Sequence, residues 1–300
     1  MEIMRWSVII SLERARELGL FFKRFGEQRI SIFEERDPQF KALEHLFRVL
    51  GDCSSLALLT VLNSVISYNL SSTGEDYWWE FAKYNEFRSS IRDPERLWMS
   101  VKKFLLSCEG NTIGREQKLK RLIRLREEDF HIELYARAED YMRDLDSFVE
   151  RLAEVLRQDI SDKTIVFAAK MLYYVSRLCG VRQIRAGKIK IPIDRRVALV
   201  SYTSELVNIV AENLDEKIII EATMRDKDKV HSAWSLVSET SGIPQIKLDS
   251  VIWSMGKYVR EKDSLRRAIT DLETKFKDRI ERELLVELAD QLLRRKIGER

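Results

Sequence analysis

Residues 161–200, reading SDKTIVFAAKMLYYVSRLCG, VRQIRAGKIK and IPIDRRVALV, constrain the fold more than any other stretch. Apolar side chains cover most of the circumference of a helix drawn over 165–178, and such a helix is stable only when other elements surround it. Ser161 or Asp162 suits the N-cap and Gly180 the position past the C-terminus, so the spacing predicts one buried central helix over 162–179. Lys163 then stands at the positive end of the helix dipole, where a cation is disfavoured. After a basic loop, Asp194 precedes RRVALVSYTSELV and is placed to cap the next helix. An amine and a carboxylate so presented suit amine nucleophilic catalysis. They also fit a solvated lysine and an ordinary cap, and their spacing leaves both readings open.

The apolar period is helical nearly throughout, without a convincing alternating strand, and 11 Gly and four Pro among 300 residues leave little room for linkers. The class is all-α, and the length admits one large or two modest domains. A net charge of +3 says little about an anionic partner; its distribution says more. Residues 115–126 carry six basic side chains and one acid, a cluster able to track a phosphate backbone, but Glu127, Glu128 and Asp129 follow at once and fit a solvated helix face at least as well. Residues 185–196 carry five basics and one acid. Arg185, Lys188, Lys190, Arg195 and Arg196 flank Asp194 there and are expected at a phosphate backbone.

Cysteines 53, 108 and 179 show no paired spacing, which predicts a reducing compartment with no disulfide and no metal or iron–sulfur site. The N-terminus meets charge too early for a secretory signal and no run is long enough to span a membrane, so an intracellular protein is expected. Scarce Asn and Gln beside abundant Glu, Lys and Arg match a hyperthermophile bias.

Along the chain, Asp37-Pro38 and Asp93-Pro94 are expected to start helices, and Thr73 with Asp76 to form a capping box. An apolar helix is expected from Leu56 to about Leu70, an amphipathic one over 139–158, and another over 226–240 with Val230, Trp234 and Val237 inward. Residues 257–300, with 13 basic and 10 acidic side chains, read as an added charged packing helix or pair of helices. Lys163 and Phe167 are four apart and share a helix face; Asp249 and Trp253 do the same. Each helix thus offers a charged group beside an aromatic plane, which is what gripping a flat extruded base requires, although single aromatics at this spacing are commonly core.

Five segments in order, ERDPQF, LNSVISYNLSSTGEDYW, KTIVFAAKM, IPIDRRVAL and SGIPQIKLDSVIW, resemble those of the archaeal GO glycosylases (AGOG), a divergent branch of the helix-hairpin-helix DNA glycosylases. The resemblance covers roughly residues 35–256. It implies two helical subdomains with an active-site cleft between them: residues 52–180 with the hairpin and Lys163, and residues 1–51 plus 181–256 with Asp194 and Asp249. The tail, 257–300, lies beyond it. The hairpin turn, Gln158 to Ser161, lacks the two glycines usual in the superfamily, and the four-Cys iron–sulfur loop of some members is absent.

By this resemblance Lys163 is the Schiff-base nucleophile and Asp194 its acidic partner. Phe167 and Trp253 sandwich the base, Gln39, Trp78 and Asp249 contact its edge, and Pro192 lines the pocket. The implied activity is excision of 8-oxoguanine with strand cleavage, without cofactor or metal, by a monomer acting on double- or single-stranded DNA. The alternatives are a glycosylase for another lesion, a non-catalytic nucleic-acid-binding protein of the same fold, and a helical interaction protein built around the tail.

Overall fold

Helices begin where capping chemistry places them. In the computed structural model, which describes residues 6–260 and 263–297, the Asp37 carboxylate accepts from the Gln39 backbone N–H at 2.9 Å and opens the helix Pro38–Leu50. Gly51 ends that helix at φ 62°, in the left-handed region where glycine costs least. Asp93 caps Pro94–Ser107 in the same way. The Thr73 hydroxyl accepts from the Asp76 N–H and donates to its carboxylate ahead of Gly74–Ala82. Two expected spans differ. The apolar helix is Cys53–Ser64, because Asp52 caps it and the chain turns after Ser64. The amphipathic 139–158 breaks into Ala138–Arg143 and Leu145–Leu156, with Asp144 capping the second piece.

The chain divides into two compact units: Glu35–Ile189, and the residues up to Glu34 together with those from Lys190 onward. The boundaries expected at 51/52 and 180/181 fall elsewhere for a packing reason. Pro38–Leu50 lies against Cys53–Ser64, Gly74–Ala82 and the Lys163 helix, which places it in the central unit. Residues 181–189 stay there too, since the Leu145 N–H donates to the Arg185 carbonyl at 2.9 Å and the Gly187 and Lys188 N–H groups donate to Asp146.

The Lys163 helix, Lys163–Leu178, is the axis of the central unit. It packs against Pro38–Leu50, Cys53–Ser64, Ala138–Arg143 and Leu145–Leu156, and buries Ile165, Val166 and every residue from Ala168 to Ser176. The hairpin into it closes without glycine: Arg157 takes the left-handed conformation (φ 54°) and the Gln158 N–H returns to the Ala153 carbonyl. At its far end, Cys179 is bonded to Cys53, with a Cα–Cα separation of 6.0 Å across 126 residues of chain. This corrects the expectation of no disulfide. Spacing in the sequence cannot show that the start of one helix lies beside the end of another. Closing so long a loop restricts the unfolded chain. Cys53→Ser with Cys179→Ser is expected to cost about 2–4 kcal/mol, visible by calorimetry as a Tm several degrees lower; an unchanged Tm would refute it.

In the second unit, Leu12–Phe25 lies along Lys227–Ser241. A Cβ at Gly19 would stand 2.5 Å from the Thr240 Cβ, so only glycine permits that approach. Ser7–Ile10 and Val207–Val210 form a two-stranded antiparallel ladder that periodicity did not reveal, since four-residue strands are too short to show alternation. The class remains all-α. The tail packs into this unit: Phe276 stacks on Phe33 at 4.2 Å, buried Arg14 donates to the Gln291 carbonyl, and Arg295 lies 3.5 Å above the Tyr202 ring. Residues 261–262 and 298–300 of the tail lie outside the described residues. No helix of the described residues is long and apolar enough to cross a membrane.

Candidate active site

In the central unit, Lys163 is the first residue of its helix, after the N-cap Asp162, and its side chain is exposed. Phe167, one turn on, is half-buried and meets Trp78 edge to face at 6.2 Å. Trp78 itself is only 1% exposed and also packs on Phe81, so most of its ring is core. Gln39 occupies the first turn of its helix, and its Nε2 would lie 3.8 Å from a Cβ on Gly74, the residue that opens the Trp78 helix. The Asp37 carboxylate ties this helix to the axis: one oxygen caps the Gln39 N–H and the other accepts from the Tyr174 hydroxyl at 2.7 Å. Lys163, Phe167, Trp78 and Gln39 are thus carried on three mutually packed helices.

Two basic residues from 115–126 serve this frame rather than a phosphate backbone. Arg121 donates to the Val65 carbonyl at 3.1 Å and to the Thr164 hydroxyl at 3.2 Å, so it grips the first turn of the Lys163 helix. Lys118, fully buried, donates to Asn111 and to the Asn69 carbonyl. Burial holds its amine below the usual lysine range. A charge cluster in sequence does not tell a surface strip from such internal clamps.

In the second unit, the Asp194 carboxylate accepts from the Val197 N–H at 2.9 Å and caps Arg195–Thr203, as the sequence predicts. Pro192 is half-buried just before it, and its carbonyl accepts from the Asp194 N–H at 2.9 Å. Asp249 and Trp253, both half-buried, lie one turn apart on Gln245–Met255. Four of the five expected phosphate contacts are engaged within their own units. Arg185 pairs with Asp144 at 3.0 Å, Lys188 with Glu150 and Arg195 with Glu216 at 2.6 Å, while the Arg196 guanidinium lies 3.8 Å from the centre of the Trp253 ring. Lys190 is exposed.

Sequence reasoning missed the pair that fixes the backbone leading to Asp194. The Ile191 N–H donates to the Gln245 side-chain carbonyl at 3.0 Å, and the Ile191 carbonyl lies 3.0 Å from His231 Nε2. The only sequence signal is a histidine beside the buried face of Val230, Trp234 and Val237. Burial holds His231 below the usual imidazole range, reinforced by Lys190 and Lys227 and opposed by the Ile191 bond and Asp228. Its Nδ1 is buried without a partner among the described residues, so a second proton there would find no acceptor among them. With the folded value depressed, this stabilisation is complete above the unfolded value, near 6.5, and is lost as pH falls from there toward the folded value. The Tm of the wild type should therefore fall between about pH 7 and pH 5. His231→Gln, which keeps an N–H for Ile191, should fall less over the same interval; parallel curves for the two proteins would reject this role.

The fold matches a crystal structure of 8-oxoguanosine-complexed Pa-AGOG, 8-oxoguanine DNA glycosylase from Pyrobaculum aerophilum. The TM-score is 0.69 and the identity 23%, over 94% of this chain and 97% of that one. The two chains share one all-α fold. The sequence model of AGOG, N-glycosylase/DNA lyase, matches residues 19–287, well beyond the 35–256 of the motifs. N-glycosylase/DNA lyases of Aeropyrum pernix (32% identical over 94% of this chain and 96% of the relative) and Methanopyrus kandleri (34% over 78% and 86%) are similar along most of their length. The chain belongs to the AGOG family of N-glycosylase/DNA lyases, bifunctional enzymes that act on DNA.

Proposed function

We propose that the lesion excised is 8-oxoguanine and that Lys163 attacks the sugar. The observation that carries this reading is the exposed Lys163 amine at the N-terminus of the central helix, one turn from the half-buried Phe167, in a member of this family. Extruding a nucleotide costs a few kcal/mol, offset by stacking and phosphate contacts. Phe167 and Trp253 supply the stacking planes and Pro192 the pocket wall, while Trp78 and Asp249 meet the base edge. The Lys163 amine bonds to C1′ as the glycosidic bond breaks, and the base departs with that electron pair and takes up a proton. One proton passes from the Lys163 nitrogen to O4′ as the C1′–O4′ bond breaks and the sugar ring opens, leaving a protonated imine joining protein to DNA. Removal of a proton from C2′ then expels the 3′-phosphate and nicks the strand. The Asp194 carboxylate stabilises the positive charge on the sugar during the first step.

Selectivity follows from one hydrogen. 8-Oxoguanine carries an N7–H donor where guanine has an acceptor, so the Gln39 side-chain carbonyl binds the first and repels the second. The test incubates the protein and borohydride with a duplex carrying one 8-oxoguanine, beside an undamaged duplex. A covalent complex with the lesion alone is the expected result. Trapping only on a different damaged base in a lesion panel would move the substrate, and none on any would remove the imine. Single strands and hydrodynamic measurements extend the same assay to strandedness and to the proposed monomer.

A further inference from the structure

Arg196 was expected at a phosphate, yet its guanidinium lies 3.8 Å from the centre of the Trp253 ring, the spacing of a planar stack. The contact is built by backbone packing. Gly256 lies three residues beyond Trp253, on the same side of the helix, and is buried. A Cβ on Gly256 would stand 2.6 Å from the Arg196 Cβ and 3.3 Å from its Cα. The obstacle includes backbone, so no rotamer change relieves it; only glycine lets the two helices meet this closely. Arg196 is also the second residue of the helix that Asp194 caps. One turn of chain therefore carries both the carboxylate and the group covering one face of the indole.

We infer that Arg196 is a positioning residue for base recognition: it backs the Trp253 indole, so that guanidinium, indole and extruded base form three layers. This inference rests on the proposed stacking role of Trp253. The physical case has two parts. A half-buried indole with one face covered has fewer orientations to lose when a base stacks on the other. A cation on one face draws π-electron density toward itself, leaving the opposite face better suited to an electron-rich purine. Because Arg196 and Asp194 share a helix start, the indole plane is also set relative to the carboxylate.

The test is a double-mutant cycle on the full-length protein: Arg196→Ala, Trp253→Ala and the pair, with Arg196→Lys alongside. Single-turnover excision of 8-oxoguanine at saturating enzyme is measured beside affinity for undamaged duplex at several salt concentrations. Arg196→Ala should slow excision about tenfold and leave undamaged-duplex affinity and its salt slope unchanged. In the Trp253→Ala background it should add nothing. Arg196→Lys keeps the charge and stem but not the plane, and should recover part of the rate; it also serves if the alanine variant folds poorly. Losses that multiply, or full activity in Arg196→Ala while Trp253→Ala is impaired, would overturn the inference and leave the stacking role of Trp253 standing. Weaker undamaged-duplex binding with a shallower salt slope would instead return Arg196 to the phosphate backbone. Full activity in Trp253→Ala would remove the stacking role itself, and this inference with it.

Discussion

Lys163→Gln is expected to abolish the covalent complex that borohydride traps on 8-oxoguanine duplex and to lower base release by at least about a thousandfold. The size of the effect follows from the proposed role, in which the Lys163 amine supplies the electron pair that forms the imine. The substitution is well suited to the question because the side chain is exposed and glutamine is a good helix former, so the axis of the central unit should stay folded. Binding of the lesion duplex should persist within a fewfold, since the proposed role of Lys163 is bond formation and the substitution leaves the proposed base contacts in place. Trapping at the wild-type level would clear Lys163 and require another amine.

Asp194→Asn is the second large effect, and the structure explains why it separates chemistry from stability. The Asp194 carboxylate caps its helix through one bond, from the Val197 N–H at 2.9 Å. Asparagine caps about as well, so the helix start and the positions of Pro192 and Arg196 should survive. What disappears is the negative charge that the proposed role sets against the cationic sugar. Base release should fall by about 10²–10³-fold, with lesion binding and Tm nearly unchanged. Asp194→Ala should show a similar kinetic loss plus about 1 kcal/mol of helix stability. Near-normal turnover in the asparagine variant would reduce Asp194 to a cap.

The contrast between these residues and the basic cluster shows where local reading succeeds. Asp37, Asp93 and Asp194 were legible as caps because a cap is a local event, decided within three residues of chain. The all-α class and the buried face of the Lys163 helix were legible for the same reason, since a 3.6-residue period is written in consecutive positions. Arg121 and Lys118 were not. Whether a basic side chain meets solvent or grips a carbonyl, as Arg121 does at Val65, depends on what the fold brings opposite it.

The sequence by itself therefore determined the all-α class, the helix starts at Asp37, Thr73, Asp93 and Asp194, the lysine and aspartate presented at two helix starts, and the family motifs that carry them, but not the bounds of Cys53–Ser64 or the break at Asp144. Tertiary structure alone decided the Cys53–Cys179 bridge, the division at 34/35 and 189/190, the tail's place in the second unit, and the hold of His231 and Gln245 on Ile191. It also moved Arg196 from an expected phosphate contact to the Trp253 ring. Each of these joins residues tens to hundreds of positions apart. Their proximity is set by the packing of whole helices, and no short-range pattern in the chain records it.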